Sequence, residues 1–226
     1  LYSDLYRDLE GIGFDEAGWL QPTNADWTIT NEYDEKVAEP AKGEATGNAM
    51  AVGILKKLNG YKNEKGEDVE PVDMTDPANF MPKGKKSIFT TYAQNQGPAG
   101  ATRRALIEKL VEAKRAVLIL DESHKAAGES GVGKWLVKMQ TDHQPKVAFF
   151  SATFAKRADS LPLYMRTDLH HIAPTVAEVI DTIVSGGPQM QVTISEMLIE
   201  AGQMVRRERS YNGIVPKFDV DEANEA

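Results

Sequence analysis

The chain has 226 residues, of which 41% are hydrophobic, so it can bury a substantial core and global disorder is excluded. It has no cysteine, which excludes a disulfide framework and a thiolate metal site and fits a reducing cytoplasm. Its net charge of −8 argues against a protein that coats nucleic acid through overall positive charge, and no apolar run reaches the roughly 18 residues that span a bilayer.

The first third of the sequence predicts one helix followed by a long polar segment. Apolar residues recur at helical spacing over residues 2–12, so residues 1–13 are predicted to be a helix of an α/β domain whose preceding strand is missing. Residues 14–85 are rich in charge, proline and glycine, and they are predicted to form an irregular insertion. Within this insertion, one short helix is predicted over residues 45–59.

From residue 86 onward strands and helices alternate, and residues 86–226 are predicted to form the remainder of the domain. The predicted elements are strand 87–92, helix 101–113, strand 116–120, helix 133–140 and strand 147–150. This alternation predicts an α/β fold with a doubly wound parallel sheet. The continuous apolar run at 116–120 is typical of a strand that is buried on both faces.

Two further helices are predicted after the last strand. Apolar residues recur at helical spacing over residues 176–184, and a second apolar run follows at 197–199. Each helix is preceded by a pair with capping-box spacing. The two pairs are Thr175 with Glu178 and Thr193 with Glu196. Glycines are predicted to end both helices, at 186–187 before Pro188 and at Gly202.

Two acidic residues, Asp121 and Glu122, follow directly on the apolar run 116–120. Side chains at the carboxyl ends of parallel strands line the ligand crevice of an α/β sheet. A nucleotide triphosphatase needs two acids there, one to hold Mg²⁺ through water and one to polarise the attacking water. An isolated acidic pair is also common in a surface loop, so the pair alone does not decide between these readings.

A second polar motif, Ser151-Ala152-Thr153, follows the next predicted strand. It lies 30 residues after the acidic pair, which is the length of one strand–helix–strand unit. Because both motifs follow neighbouring parallel strands, we expect them to lie side by side on one rim of the sheet.

These residues carry a resemblance to superfamily 2 helicases. Asp121-Glu122-Ser123-His124 resembles the DExH box, motif II, and Ser151-Ala152-Thr153 resembles motif III. The resemblance implies that ATP and Mg²⁺ are the cofactors and that DNA or RNA is the track. It also implies a RecA-like fold for the domain.

The resemblance implies a role for each matching residue. Asp121 would bind Mg²⁺ through water, Glu122 would be the catalytic base, and His124 would link the bound nucleotide to motif III and to nucleic acid. Thr90, Thr91 and Tyr92 end a predicted strand where the superfamily often contacts the nucleic-acid backbone. An ordinary β-branched strand end explains these three residues equally well.

The sequence is similar, more narrowly, to the Strawberry notch family of helicase-like proteins. The similarity covers most of 86–218 and a short opening piece, whereas residues 14–85 match poorly. The matching segments lie at 4–13, 88–92, 121–126, 133–140, 151–153 and 202–213. Members of this family include eukaryotic nuclear proteins and bacterial or phage proteins, and the absence of cysteine favours the cytoplasm of a bacterial or phage-infected cell over a nucleus.

Two parts of such a motor are expected outside the sequence. The phosphate-binding loop should precede residue 1, and a second RecA-like domain of the same parent chain should follow residue 226. We therefore expect this chain alone to hydrolyse ATP poorly or not at all. No membrane partner is expected.

A glycine-rich segment, Gly128 to Lys134, fits the spacing of a phosphate-binding loop. Such a loop needs a strand immediately before it and a Ser or Thr after the lysine. Here the acidic pair intervenes and Trp135 follows Lys134, so a flexible lead into the next helix is the preferred interpretation.

Other polar clusters are compatible with more than one role. Arg206 and Arg207, close to Tyr211, fit either a grip on the nucleic-acid backbone with a stacking aromatic ring or a salt-bridged surface turn. His170-His171 is not predicted to bind metal, because no matching ligand pair lies nearby.

Two other functional classes were considered. The fold could serve as a catalytically inactive scaffold or regulatory interaction module, and the sequence upstream of residue 1 would discriminate this from a motor. An α/β hydrolase would need a Gly-x-Ser-x-Gly elbow, which the sequence lacks.

Overall fold

The structure is a computed structural model that describes residues 2–11, 20–82, 85–126, 130–151, 158–173 and 175–204. Within these residues the chain is mixed α/β, with five α-helices and four two-stranded sheets. The helices are α1 (Tyr2–Gly11), α2 (Gly47–Asn59), α3 (Ala101–Glu112), α4 (Gly131–His143) and α5 (Val176–Glu200). The predicted mixed α/β class is therefore confirmed, and none of these helices is long and apolar enough to cross a membrane.

The eight strands are short. They are β1 (Leu20–Pro22), β2 (Ile29–Thr30), β3 (Lys36–Ala38), β4 (Tyr61–Lys62), β5 (Asp68–Val69), β6 (Ser87–Phe89), β7 (Val117–Leu120) and β8 (Lys146–Phe149). The pairs β1–β6 and β7–β8 are parallel, and β2–β3 and β4–β5 are antiparallel. Among the described residues no ladder joins β6 to β7, so the predicted parallel sheet is represented by two separate parallel pairs.

The parallel pair β7–β8 continues beyond its assigned strand ends. Its register aligns Val117 with Lys146 and Leu120 with Phe149. Past that point the Phe150 amide donates to the Leu120 carbonyl, and the Ser123 amide donates to the Phe150 carbonyl, each at 2.9 Å. The chain segments that follow the two strands are therefore tied together by backbone hydrogen bonds.

Part of the segment predicted as an irregular insertion is regular and packed. Strand β1 pairs in parallel with β6, and this strand was not predicted. Helix α2 confirms the helix expected over residues 45–59, and it packs on α3. The contact is apolar and fully buried, with Met50 and Ile54 of α2 in one cluster with Leu106 of α3.

The largest buried cluster packs α4, α5 and the 3₁₀ turns of residues 158–171 against β7. Burial of each large aliphatic side chain contributes about 1.5–3 kcal/mol, so this cluster anchors the end of β7 firmly. Its buried members include Val132, Leu136, Met139, Leu161, Leu163, Tyr164, Leu169, Val179, Ile183 and Ile194.

The prediction that residues 116–120 are buried on both faces was wrong. Val117 and Ile119 are 61% and 63% exposed, whereas Leu120 is buried in the main cluster. Alternate side chains of a strand point to opposite faces, so only the face that carries Leu118 and Leu120 meets the core. The apolar run therefore belongs to a strand covered on one side.

Helix α5 is kinked, and its two halves correspond to the two helices predicted from the sequence. Thr175 and Glu178 form the expected capping box, with the Glu178 amide donating to Thr175 Oγ1 and the Thr175 amide donating to Glu178 Oε2. Gly187, with φ 63° and ψ −155°, breaks the helix before Pro188. The second capping box was wrong, because Thr193 lies inside the helix and donates its hydroxyl to the Gln189 carbonyl.

Candidate functional site

The acidic pair forms a tight turn at the carboxyl end of β7. Asp121 is exposed, and its Oδ1 accepts the Glu122 amide at 2.9 Å. Glu122 has left-handed backbone angles, φ 46° and ψ 46°. The Lys125 amide then donates to the Glu122 carbonyl at 2.8 Å and starts a 3₁₀ turn over Ser123–Lys125. We call residues 121–125 the acid turn.

The acid turn is held from three sides. The Ser123 amide donates to the Phe150 carbonyl, which ties the turn to the segment after β8. Ser123 is fully buried, and its hydroxyl lies 2.7 Å from the Tyr164 hydroxyl. The Tyr92 hydroxyl donates to the Asp121 backbone carbonyl at 2.6 Å.

His124 bridges the acid turn and the first residue of the second motif. Its Nδ1 lies 2.9 Å from Ser151 Oγ and 3.2 Å from Glu122 Oε2. Glu122 Oε2 is shielded from solvent and makes no hydrogen bond, so its contact with the imidazole is an ion pair only when His124 is protonated. The expected side-by-side arrangement is therefore observed for Ser151, whereas Ala152 and Thr153 lie outside the described residues.

The residues at the end of β6 are engaged within the chain. Thr90 Oγ1 and the Thr91 amide both donate to Gln94 Oε1, at 3.2 and 3.0 Å. The Asn95 side-chain amide donates to Thr90 Oγ1 and to the Thr91 carbonyl. The Tyr92 hydroxyl is directed at Asp121, so the three residues connect the end of β6 to the acid turn.

Gln94 is the centre of a polar network that the sequence reading missed. Its Oε1 also accepts from Thr23 Oγ1 at 2.9 Å, just past the end of β1. Arg103 of α3 donates to the backbone carbonyls of Gln94 and Thr23. The network depends on β1 and β6 ending side by side, and the sequence offered no signal for β1 beyond the three residues 20–22.

Burial changes the acidity of the two tyrosines that contact the acid turn. Desolvation raises the pKa of Tyr92, and the nearby charges of Asp121 and Glu122 raise it further. Burial also raises the pKa of Tyr164, against a smaller opposing effect of its hydrogen bond with Ser123. Both phenols are therefore protonated at neutral pH and can act as hydrogen-bond donors.

Asp121 offers an exposed carboxylate that would suit the Mg²⁺ implied by the resemblance. Among the described residues, no group of three or more His, Cys, Asp or Glu side chains could hold a metal ion. Mg²⁺ keeps several waters and is commonly held by one or two carboxylates together with substrate phosphates. The exposed carboxylate of Asp121 at a parallel strand end is suited to that mode of binding.

The glycine-rich segment before α4 does not present an open phosphate cradle in its described part. Ser130 is the N-cap of α4, and its hydroxyl accepts the Gly133 amide at 3.0 Å. Lys134 lies within the first turn of the helix, and its amide donates to the Ser130 carbonyl. Gly128 and Glu129 lie outside the described residues.

The structure describes only part of the remaining candidate residues. Arg206, Arg207 and Tyr211 lie outside the described residues. His171 is the last residue of the 3₁₀ turn Asp168–His171.

Comparison of the chain with family models, curated proteins and solved structures finds no match. Its functional interpretation therefore depends on the geometry of the acid turn and on the sequence resemblance.

Proposed function

We propose that this chain is part of the first RecA-like domain of a superfamily 2, DExH-type helicase or translocase similar to the Strawberry notch family. The observation that carries the proposal is the contact between His124 Nδ1 and Ser151 Oγ at 2.9 Å. It joins the two sequence motifs at the carboxyl ends of paired parallel strands, where an α/β fold binds its ligand.

The proposed chemistry is hydrolysis of ATP with Mg²⁺. Asp121 would hold the ion through water, and the bound ion would neutralise charge on the terminal phosphates. Glu122 would orient and polarise the attacking water, and its side chain is half exposed although Oε2 itself is shielded. His124, between Glu122 and Ser151, would transmit the state of the nucleotide to motif III.

The proposed track is a DNA or RNA strand. Thr90, Thr91 and Tyr92 are proposed to contact its backbone, and Tyr92 lies one hydrogen bond from Asp121. Arg206 and Arg207 are proposed as further contacts from the sequence alone. The proposed setting is the cytoplasm of a bacterial or phage-infected cell, or the nucleus if the source is eukaryotic.

In the full-length protein, the phosphate-binding loop and the second RecA-like domain would be supplied by other parts of the same parent chain. An ATPase assay of that protein in the presence of Mg²⁺ tests the proposal. Phosphate release is measured without nucleic acid and then with single-stranded DNA, with duplex DNA and with RNA. We expect Mg²⁺-dependent phosphate release that at least one nucleic acid stimulates. The identity of the stimulating polymer would also define the track.

The scaffold interpretation makes the opposite prediction. An inactive helicase-like module would release no phosphate above background with any of the polymers, although it would retain a folded α/β domain by circular dichroism. That result would overturn the proposed motor function.

A further inference from the structure

Two tyrosines from separate parts of the chain contact consecutive parts of the acid turn. Tyr92, which follows β6, donates to the backbone carbonyl of Asp121 at 2.6 Å. Tyr164, which ends a 3₁₀ segment after β8, lies 2.7 Å from the hydroxyl of Ser123. Glu122 lies between these two fixed points and makes neither contact itself.

The backbone at Glu122 needs such fixed points. A left-handed conformation at a residue with a Cβ is unfavourable, and it persists only where the surroundings define it. The Ser123 amide bond to Phe150 fixes one side of the turn. The two phenols add hydrogen bonds on either side of the strained residue, so the direction of the Glu122 side chain depends on them.

The position of Tyr164 is itself well defined. The side chain is 3% exposed and belongs to the main buried cluster. Its ring makes an edge-on contact with Phe149 of β8, with ring centroids 4.9 Å apart. Phe149 is the strand partner of Leu120, so the ring that supports Ser123 is packed on the same pair of strands that ends at the acid turn.

We propose that Tyr92 and Tyr164 are positioning residues for the acidic pair, which hold Asp121 and Glu122 in the orientation that hydrolysis requires. The inference rests on the proposed ATPase function and names residues that the sequence motifs do not assign to it. Neither phenol reacts, and each acts through the backbone or side chain of the acid turn.

Tyr92→Phe and Tyr164→Phe in the full-length protein test the proposal, because each removes one hydroxyl and keeps the ring. We expect kcat for ATP hydrolysis, or the apparent affinity for Mg²⁺, to fall about tenfold to a hundredfold, as for other groups that orient metal ligands. The KM for ATP should stay within about twofold, since neither residue is proposed to touch ATP. Tyr33→Phe, at a tyrosine 75% exposed in the β2–β3 hairpin, is the matched control and should behave as wild type.

A double variant separates positioning from loss of stability. Tyr164→Phe leaves the buried Ser123 hydroxyl without its phenol partner, and this lowers the melting temperature. Adding Ser123→Ala removes both hydroxyls, which can be nearly neutral for stability. We expect the double variant to regain the wild-type melting temperature but to keep the reduced kcat of Tyr164→Phe. Recovery of both would show that Tyr164 is structural only and would overturn its positioning role.

The outcomes distinguish this inference from the proposed function. If the wild type hydrolyses ATP and the Phe variants match it in kcat and in Mg²⁺ dependence, the inference is wrong and the motor function stands. If the wild type releases no phosphate, the proposed function is wrong. Hydrogen exchange of the Ser123 amide then tests whether the phenols hold the turn. We expect exchange about tenfold faster in both Phe variants than in the wild type, and equal exchange would contradict the inference.

Discussion

The acid turn shows how one residue can adopt a backbone conformation that its side chain disfavours. Glu122 has a positive φ of 46°, which for a residue other than glycine costs about 1–2 kcal/mol. Buried Ser123 and the hydrogen bond from Tyr92 to Asp121 compensate for this cost. Among the described residues, Asp34, Lys114 and Gln144 also have positive φ and are exposed, whereas Glu122 is the residue to which the resemblance assigns catalysis.

The His124–Ser151 hydrogen bond predicts that the two residues act as a unit. His124→Ala and Ser151→Ala should each lower the nucleic-acid-stimulated rate of ATP hydrolysis about tenfold, and the double variant should lose little more. The double variant should lose little more because each single change already breaks the same contact. Steady-state phosphate release at saturating nucleic acid is measured for the wild type, the two single variants and the double variant, which together form a double-mutant cycle.

Ser185→Ala provides the control for that cycle, since Ser185 is an exposed helical serine that bonds the Asp181 carbonyl. It should leave the rate unchanged. Losses for His124 and Ser151 that simply multiply in the double variant would show that the two residues act independently.

At the scale of the elements, glycine conformations decide where helices bend and end. Gly187 has φ 63° and ψ −155°, a combination that is essentially restricted to glycine. It separates the two halves of α5, so that Ile183 before the kink and Ile194 after it both reach the main buried cluster.

Gly187→Ala should therefore lower the free energy of unfolding by about 1–3 kcal/mol. No atom lies within 4 Å of the Cβ that alanine would add, so the cost comes from the backbone and not from a clash. Gly53→Ala in α2 is the matched control, because that glycine is helical and exposed and its added Cβ also meets nothing. It should stabilise the chain by about 0.5–1 kcal/mol.

Urea unfolding measures the free energy of unfolding of both glycine variants, and we expect the slope of that free energy with urea concentration to be unchanged. If Gly187→Ala is as stable as Gly53→Ala, the kink is not required by the fold.

At the scale of the whole molecule, the sequence allowed prediction of the elements around the acid turn and not of their assembly. Apolar periodicity identified α3, α4 and the two strands β7 and β8, because each has a regular pattern over four or more residues. The juxtaposition of His124 with Ser151 followed from the length of the intervening unit.

The features that escaped prediction depend on contacts between distant segments. Strand β1 is only three residues long and ends in Pro22, so nothing local distinguishes it from a loop. The exposure of Ile119 depends on which face of β7 the helices cover, and an apolar run looks the same in either case. Gln94 and Tyr164 reach their partners across the fold, at separations of 71 and 41 residues.

Stability should fall at high pH in a way that depends on the buried tyrosines. Burial raises the pKa of Tyr92 and Tyr164 above the ordinary value of 10.0, so the folded chain holds these protons more tightly than the unfolded chain. Their contribution is fully present below pH 10 and is lost as pH rises through the raised folded values. The free energy of unfolding should therefore decrease as pH rises above 10. Its slope with pH corresponds to at most one bound proton for each tyrosine.

The double variant Tyr92→Phe with Tyr164→Phe isolates this effect from other groups that titrate there, among them Tyr2, whose pKa burial also raises. Urea unfolding between about pH 9 and 11 should give a shallower decline for the double variant than for the wild type or for Tyr33→Phe. Parallel declines for all three proteins would show that the two phenols do not carry the dependence.

The most direct test of the account is the turnover of Glu122→Gln in the full-length protein, measured beside Glu112→Gln. Glu112 is an exposed glutamate at the end of α3 and belongs to neither motif, so its amide variant should hydrolyse ATP as the wild type does. If Glu122 polarises the attacking water, its amide variant should bind ATP normally and release phosphate about 10²- to 10⁴-fold more slowly. Hydrolysis by Glu122→Gln at the wild-type rate would contradict the assignment of the acid turn as an ATPase site.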